Sequence, residues 1–345
     1  MHEPPVDAIV IGGGPAGLAA AIQLGRLGRG CMVVDDDAGR SLWWQVTRNY
    51  LGFPDGVAAA DLRLLGQDQA ARYGVGFRAG RAVDACREAD GTFAVLVREP
   101  PPIDGADPPD LLPGAPANKR RERRHARALG ERRVRVPTIL RSRTLVLATG
   151  VRDAWPVFPG CDQCVGRSLF WCIVCDGYEA RARRVAVVGG GEDAVQTALG
   201  LTVFTDDVTL IAERSAGRPE RLAAVEAGGV PIIDGTVRRW DHTDGALERL
   251  VVDTASGPRH IAVDMVFVAA AKRPRTALGR HLGARIDGKG YLEVDSDQRT
   301  AVDGLFAAGD VTSLHAHQVS AASHQGATAG TAANWALYPA ALRGA

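Results

Sequence analysis

The chain lacks the features of a membrane protein, a nucleic-acid-binding protein or a secreted disulfide scaffold. No uncharged apolar run is long enough to span a bilayer, and no basic and apolar leader precedes the first strand pattern, MHEPPVDAIVIG. The 41 Lys and Arg residues nearly balance the 40 Asp and Glu residues, which argues against a polyanion partner. Six cysteines in 345 residues are too few for a disulfide scaffold. These absences predict a cytoplasmic protein with no membrane or nucleic-acid partner.

What the chain does have is a glycine-rich turn between a strand pattern and a helix pattern. The apolar run from Asp7 to Ile11 enters GGGPAG at residues 12–17, which fits G-x-G-x-x-G, and an Ala- and Leu-rich stretch follows. A second strand pattern, 31–34, ends in Asp35. Such glycines permit a tight turn and close approach of a pyrophosphate to a helix N-terminus, and the acid suits a ribose hydroxyl. The segment therefore predicts a bound dinucleotide.

The same pattern occurs again in the second half of the chain. A strand pattern at 184–188 enters GGGEDA at 189–194, which fits G-x-G-x-x-A, and a helix pattern through Leu201 leads to a strand pattern at 207–211. The chain is long enough for two domains of ordinary size. Two such units indicate either two nucleotides, or a donor and a flavin.

Cysteine pairs give the second strong signal. The stretch WCIVCDGYE contains Cys172 and Cys175 in C-x-x-C spacing, which suits a metal clamp, a structural staple or a redox switch. A second pair, Cys161 and Cys164, lies close before it, whereas the pairs of a zinc ribbon are usually about 15–20 residues apart. We therefore predict no metal site, interpret the second pair as free thiols, and leave a relay disulfide open. The remaining cysteines, Cys31 and Cys86, are interpreted as packing thiols.

Taken in order, the motifs resemble one family over nearly the whole chain. TLVLATG at 144–150 and LFAAGDV at 305–311 each end in a small-residue turn, and a helix pattern covers 319–336. With the glycine turns and CxxCDG, this order resembles the low-molecular-weight thioredoxin reductase-like family of FAD-dependent pyridine nucleotide-disulfide oxidoreductases. The resemblance implies an α/β fold of two Rossmann-like three-layer ββα dinucleotide-binding domains, the second inserted in the first. The FAD-binding domain would comprise 1–155 and 275–345, and the NAD(P)H-binding-like domain with the CxxC would comprise 156–274.

The resemblance also implies residue roles. Cys175 would face the flavin, Cys172 would attack the substrate disulfide, and Asp176 would move the proton. The protein would be a homodimer acting on thioredoxin or on a small-molecule dithiol or disulfide. Asn49 would lie beside the flavin, Asp310 would bind the ribitol, and the backbone N–H groups of residues 318 and 319 would lie near the pyrimidine edge. The full set for FAD is Gly12, Gly14, Pro15, Ala16, Gly17, Asp35, Asn49, Ala148, Gly150, Gly309, Asp310, Gln318 and Val319.

One departure from the family concerns the electron donor. NADPH-dependent members carry H-R-R-x-x-x-R after the second strand of the inserted domain, and here the run is AERSAGR at 212–218. Glu213 replaces an arginine where a 2′-phosphate would bind, so it opposes NADPH. The candidates for a second nucleotide are Gly189, Gly191, Ala194, Glu213, Arg214 and Arg218. The residues leave NADPH, NADH and a donor without nicotinamide open, the last as in relatives that take electrons from ferredoxin.

Other departures permit more than one interpretation. His315, His317 and His324 cluster where the family has Y-R-Q, and suit either a proton shuttle or a dimer contact. Trp43–Trp44 would cover the flavin face or fill core. The Pro- and Arg-rich insertion 99–135 would be a mobile solvated excursion, or a basic arm for an acidic partner such as ferredoxin.

The predicted function is therefore an FAD-dependent disulfide oxidoreductase that passes electrons between FAD, the Cys172–Cys175 disulfide and an external dithiol or disulfide. NADPH use would be atypical or absent. One alternative is a dithiol oxidase with oxygen as acceptor, although the resemblance leads us to expect histidine at position 176 in such relatives. Another is a flavin-bound redox sensor or partner-binding protein.

Overall fold

The structure is a computed structural model that describes residues 4–42, 46–98, 137–154, 156–213, 218–269, 272–313 and 317–339. Several sequence predictions fall outside these ranges: those on Trp43–Trp44, the insertion 99–135, Arg214 and His315. No helix within the described ranges combines the length and the apolarity needed to cross a bilayer.

Strands and helices are numbered in chain order. The strands are β1 (Val6–Ile11), β2 (Cys31–Asp35), β3 (Val46–Thr47), β4 (Val57–Ala58), β5 (Gly76–Ala79), β6 (Arg81–Arg87), β7 (Phe93–Arg98), β8 (Thr138–Leu147), β9 (Val151–Asp153), β10 (Leu169–Phe170), β11 (Val185–Gly189), β12 (Val208–Ala212), β13 (Ile232–Asp234), β14 (Thr236–Thr243), β15 (Ala246–Thr254), β16 (Gly257–Ala262), β17 (Met265–Ala269), β18 (Lys272–Pro274) and β19 (Leu305–Ala307). The α-helices are α1 (Pro15–Arg26), α2 (Ala59–Ala71), α3 (Cys161–Cys164), α4 (Ile173–Asp176), α5 (Gly191–Leu201), α6 (Pro219–Ala227), α7 (Ala277–His281) and α8 (Val319–Ala336). Short 3₁₀ helices lie at Arg40–Leu42 and Gly177–Ala180.

The first sheet is centred on strands that are buried on both faces. Its order is β5-β2-β1-β8-β7-β6, and β19 pairs with β8. β1 runs parallel to β2 and β8, and its residues 8–11 are buried, which suits its nearly continuous run of apolar side chains. β19 is also parallel to β8. The carboxyl ends of β1, β8 and β19 therefore meet at one edge, and the GGGPAG, ATG and AGD turns follow them there.

Two helices cover one face of this sheet and approach each other through small residues. A Cβ atom added to Gly326 of α8 would lie 2.0 Å from the backbone oxygen of Ala16 on α1, and one added to Gly330 would lie 2.6 Å from that of Ala20. Only glycine leaves room for this approach. The close packing places the start of α8 beside the glycine-rich turn that precedes α1.

The second sheet is parallel, with the order β10-β17-β11-β12-β13. Alternate residues of β11 join different cores. Val185 and Val187 pack with Ala194 of α5 and Leu222 of α6, whereas the intervening side chains pack with Leu250 and other residues of the antiparallel sheet β14-β15-β16. Helices thus cover one face of the parallel sheet, and the antiparallel sheet β14-β15-β16 covers the other face. This is the three-layer ββα arrangement.

In the sequence, the strands of the second sheet interrupt those of the first. The strands of the second sheet fall between β8 and β19, and the two connecting segments lie side by side because β9 pairs antiparallel with β18, Val151 opposite Pro274. The structure confirms the predicted fold class, with two Rossmann-like units of which one interrupts the other. The ends of α8 also agree with the sequence prediction for 319–336.

Candidate active site

The first glycine turn forms a cradle at the start of α1. Gly12 has φ +109°, and a Cβ atom there would lie 2.2 Å from the backbone oxygen of Ala148, at the end of β8. A Cβ atom on Gly17 would lie 1.8 Å from the oxygen of Gly12. Gly14 caps the helix and Pro15 is its first residue, where the missing N–H group leaves nothing unsatisfied. The first N–H groups of α1, which have no acceptor within the helix, and the positive end of the helix dipole suit a phosphate group.

Asp35 holds the turn from the side. It lies at the end of β2, and its Oδ1 accepts a hydrogen bond of 2.9 Å from the N–H of Gly13. Arg63 of α2 contacts both Asp35 and Asp37 through Nη2, and its Nε donates to the oxygen of Gly13 at 3.3 Å. Burial raises the pKa of Asp35, and the Arg63 guanidinium opposes this. Arg63 carries no motif that reveals its role from the sequence.

Next to this turn is a cavity of about 450 Å³. Every residue predicted to bind FAD lines it except Gly17, which packs behind the turn. The lining members are Gly12, Gly14, Pro15, Ala16, Asp35, Asn49, Ala148, Gly150, Gly309, Asp310, Gln318 and Val319. The glycine cradle, the half-buried acid at a strand end and the cavity beside them fit a dinucleotide such as FAD.

Asp310 belongs to a partly buried group of charged and polar side chains in and beside the cavity wall. Its Oδ2 lies 3.4 Å from Nη1 of Arg40, and Nε of Arg40 lies 3.1 Å from Oδ2 of Asp153. The ring of His317 lies 5.7 Å from that of Tyr291. Burial lowers the pKa of His317, so its ring is held neutral more strongly than an exposed histidine.

The predicted histidine cluster is only partly assembled. His317 lines the cavity, whereas His324 is exposed on α8 and is not part of the lining. The positions follow from α8, which begins after Gln318 and turns residue 324 outward. A shared proton-transfer role for these two side chains therefore lacks geometric support.

Cys172 and Cys175 form a disulfide at the start of α4. Cys172 caps the helix, and its Sγ accepts a hydrogen bond of 3.2 Å from the N–H of Cys175. Cys175 and the buried Asp176 line the cavity, whereas Cys172 does not. The side-chain amide of Gln318 donates toward both sulfurs, at 3.3 Å to Cys175 and 3.5 Å to Cys172. The disulfide is thus held against the cavity that fits a dinucleotide.

The other cysteine pair lies elsewhere. Cys161 and Cys164 are the ends of the short helix α3 and pack in the core between the parallel and antiparallel sheets. Both are free thiols, and burial raises their pKa values to about 12 and about 11, respectively. Across the described ranges no group of three or more His, Cys, Asp or Glu side chains is arranged to hold a metal ion. The packing interpretation is correct for Cys31, which is buried, but wrong for Cys86, which is exposed. Its neighbour Ala85 on β6 points into the hydrophobic core, so Cys86 lies on the opposite, solvent-facing side of the strand.

The second glycine turn repeats the backbone of the first. Gly189 has φ +140°, and a Cβ atom there would lie 2.4 Å from the oxygen of Ala269, as at Gly12 and Ala148. The side chains are acidic, since Glu192 and Asp193 lie in the first turn of α5. Glu213, just after β12, is exposed and accepts a hydrogen bond of 3.0 Å from Oγ1 of Thr236.

The remaining candidates for a second nucleotide are divided between the core and the surface. Gly191 is the first residue of α5, and a Cβ atom there would meet nothing within 4 Å. Ala194 is buried against the second sheet, and Arg218 is exposed at the cap of α6. The backbone of this turn thus keeps the conformation of a dinucleotide-binding turn. The helix N-terminus, where a phosphate would bind, carries acidic side chains.

Comparisons with known proteins agree along almost the whole chain. The family model described as pyridine nucleotide-disulphide oxidoreductase matches residues 6–326. The thioredoxin reductases of Treponema pallidum and Listeria innocua are 28% and 27% identical, over 96% and 95% of this chain and 97% and 93% of theirs. The crystal structure of HlmI is 30% identical, covers 98% of this chain and 94% of its own, and has a TM-score of 0.78. The thioredoxin reductase structure from Streptococcus pyogenes shares the fold, with 24% identity, coverage of 96% and 98%, and a TM-score of 0.80. A glycine cradle, a cavity-facing disulfide and a family match over most of the sequence lead to one conclusion: this chain belongs to the pyridine nucleotide-disulphide oxidoreductases and is an oxidoreductase of the thioredoxin reductase type.

Proposed function

We propose that the protein is an FAD-dependent disulfide oxidoreductase whose Cys172–Cys175 pair exchanges electrons with an external dithiol or disulfide. The observation that carries the proposal is that Cys175 lines the same cavity as the glycine cradle and Asp35. When bound, FAD supplies a centre that accepts or gives two electrons beside this disulfide. The proposed assembly is a homodimer, with thioredoxin or a small-molecule dithiol or disulfide as the reaction partner.

FAD would be held by the residues that line the cavity. The glycine turn at the start of α1 would take the pyrophosphate, and Asp35 the adenosine ribose. Asp310 would bind the ribitol, and the backbone at Gln318 and Val319 would contact the pyrimidine edge. We propose residues 1–155 and 275–345 as this FAD-binding domain, and 156–274 as the domain that presents the cysteines.

The two cysteines have different surroundings and therefore different proposed roles. Cys175 contributes to the cavity wall and Cys172 does not, so Cys172 is the proposed thiol for the external substrate. Its thiolate attacks a substrate disulfide and one substrate sulfur leaves as thiolate, which gives a mixed disulfide. Cys175 then attacks Cys172, the ring disulfide closes, and the second substrate thiolate leaves. Buried Asp176 would take up and return the proton.

Single serine substitutions test this division of labour. Cys172→Ser leaves Cys175 alone at the cavity, and its thiolate beside the oxidised flavin should give a broad long-wavelength absorbance. Cys175→Ser should lack that band and should trap substrate on Cys172, because no resolving thiol remains. Mass spectrometry of the trapped species identifies the cysteine. Substrate trapped on Cys161 or Cys164 instead would contradict the assignment, and serine variants at those two positions serve as controls.

For the electron donor, we propose that NADPH is used poorly or not at all. Glu192, which also pairs with Arg221, and Asp193 lie in the first turn of the helix after the second glycine turn, and Glu213 follows the neighbouring strand β12, where NADPH would place its 2′-phosphate. Like charges disfavour that binding. Anaerobic titration with NADPH, NADH or reduced ferredoxin, followed by flavin bleaching, identifies the donor. Glu213→Arg should improve bleaching by NADPH more than bleaching by NADH, and efficient wild-type bleaching by NADPH would refute the proposal.

The same acidic turn favours a second candidate, a dithiol oxidase. If no nicotinamide reaches the flavin, electrons can enter through Cys172 from a dithiol and leave to oxygen. Each dithiol would lose two electrons and two protons, and oxygen would gain them as hydrogen peroxide. Oxygen consumption with dithiothreitol as sole reductant tests this direction, and Cys172→Ser is the control that must abolish it. A protein that fails both assays but copurifies with flavin would support the redox-sensor alternative.

A further inference from the structure

The side chains of Gln318 and Asn49 form a chain of amides that ends on the disulfide. Nδ2 of Asn49 lies 2.7 Å from Oε1 of Gln318 and 3.3 Å from the backbone oxygen of Val174. Nε2 of Gln318 lies 3.3 Å from Sγ of Cys175 and 3.5 Å from Sγ of Cys172. The roles assigned above to residues 49 and 318 concern the flavin, and they involve the backbone of Gln318 rather than its side chain.

The backbone carbonyl of Val174 fixes the direction of the hydrogen bonds made by the Asn49 and Gln318 amides. The carbonyl of Val174 can only accept, so the Asn49 atom that faces it must be the NH₂ group. That same NH₂ group faces Gln318, which must therefore present its carbonyl oxygen. The NH₂ group of Gln318 is then left to face the sulfurs. Reversing Gln318 would place two NH₂ groups against each other and would remove the donor from the disulfide.

A donor in this position treats the two redox states of the cysteines differently. The sulfurs of a disulfide are weak acceptors, whereas a thiolate is an anion, and hydrogen bonds to charged groups are shorter and stronger. Reduction of the disulfide adds two electrons and one proton, breaks the S–S bond and leaves one thiol and one thiolate. The amide of Gln318 stabilises the thiolate and does not titrate itself, so it favours the ionised form without competing for the proton.

The contacts also cross between the two parts of the fold. Gln318 caps α8 and Asn49 follows β3, both beside the first sheet, whereas Val174 and the cysteines belong to α4 in the inserted segment. The amide chain is complete only when α4 is seated against the cavity. The thiolate is thus favoured in that position and loses its donor when the cysteines move away from it.

We propose that Gln318 is a catalytic residue that stabilises the cysteine thiolate through its side-chain amide, and that Asn49 is a positioning residue that sets the direction of that amide. The inference rests on the proposed redox role of Cys172 and Cys175. It makes the amide chain a determinant of how much thiolate is present at a given pH.

The test measures the thiolate directly, without turnover. In a Cys172→Ser background, the rate of Cys175 alkylation by iodoacetamide is followed against pH by mass spectrometry, with and without FAD. Gln318→Met keeps the side-chain length and removes the donor. A lost hydrogen bond to a charged group corresponds to a rise of about one pKa unit or more in the alkylation profile. Gln196→Met, on the exposed face of α5, is the matched control and should leave the profile unchanged.

A double-mutant cycle separates the two roles. Asn49→Ala should raise the Cys175 pKa by less than Gln318→Met, because the amide is still present but no longer oriented. In the Gln318→Met background, Asn49→Ala should have no further effect, since it acts through the missing amide. Asp176, Arg48 and His317 are ionisable side chains of the same cavity wall, and they are unchanged in all of these variants.

Each outcome decides. An unchanged Cys175 profile in Gln318→Met, in protein whose circular dichroism matches the parent, overturns the inference even if disulfide reduction is normal. Additive effects of the two substitutions overturn the positioning role of Asn49. If Gln318→Met does not fold, Gln318→Leu replaces it, and an upward shift is again required because leucine is neutral and also lacks the donor. Loss of disulfide exchange in the parent would refute the proposed function instead, and the alkylation assay does not depend on it.

Discussion

Replacing Arg63 by methionine should destabilise the first domain by about 3 kcal/mol, at the lower end of the range for breaking a buried ion pair. The Arg63 side chain is 9% exposed and that of Asp35 is 17% exposed, so solvent screens their interaction little. The substitution removes the contacts to Asp35, Asp37 and the oxygen of Gly13, while the methionine fills most of the volume. What remains is a half-buried Asp35 carboxylate that has lost its cationic partner and keeps the hydrogen bond from the N–H of Gly13.

The assay is urea unfolding of flavin-free protein at several pH values. With a slope of about 3 kcal/mol per molar urea, the loss corresponds to a midpoint shift of about 1 M at pH 8. Burial raises the pKa of Asp35, and removing the guanidinium raises it further. A folded-state pKa above the unfolded value gives stability at low pH that is lost as pH rises through the folded-state pKa. The Arg63→Met penalty should therefore be smaller at pH 5 than at pH 8.

A second substitution identifies the cause. If the penalty comes from an unpaired carboxylate, Asp35→Asn in the Arg63→Met background should restore part of the stability at pH 8, because it removes the charge. A loss below about 1 kcal/mol in Arg63→Met would place the pair among weak surface ion pairs and refute the reasoning. A double variant less stable than Arg63→Met would show that the lost packing of the arginine side chain, and not the charge, was responsible.

Two further predictions concern the cores of the two domains. Cys161 and Cys164 should resist alkylation in native protein at pH 8, because burial raises their pKa values to about 12 and about 11. The exposed Cys86 should react under the same conditions and is the control. Rapid labelling of either buried thiol would contradict the packing described. Gly326→Ala should lower the free energy of unfolding by about 1–3 kcal/mol through overpacking, because its Cβ atom would lie 2.0 Å from a backbone oxygen of α1. Gly288→Ala is the control in the same urea assay and should be nearly neutral, because a Cβ atom there would meet nothing within 4 Å.

The sequence determined those features that depend on local rules of the chain. The glycine turns, the strands that lead into them and the helix at 319–336 follow from backbone conformation, hydrophobic pattern and helix start signals within a few residues. The C-x-x-C spacing likewise permits a small disulfide without reference to the rest of the fold. The two glycine turns predicted two Rossmann-like units, and the family resemblance carried by the order of the motifs implied that one unit is inserted in the other.

Only the tertiary structure decided which distant side chains meet. Arg63 contacts Asp35 because α2 packs beside the end of β2, and no pattern in the sequence marks that arginine. Gln318 contacts Cys175 although 143 residues separate them, and this contact depends on how α4 rests against the start of α8. The exposure of Cys86, against the sequence prediction, depends on which face of β6 meets the core. Such contacts follow from the packing of whole elements at fixed distances and angles, a property of the assembled fold that no local stretch of sequence contains.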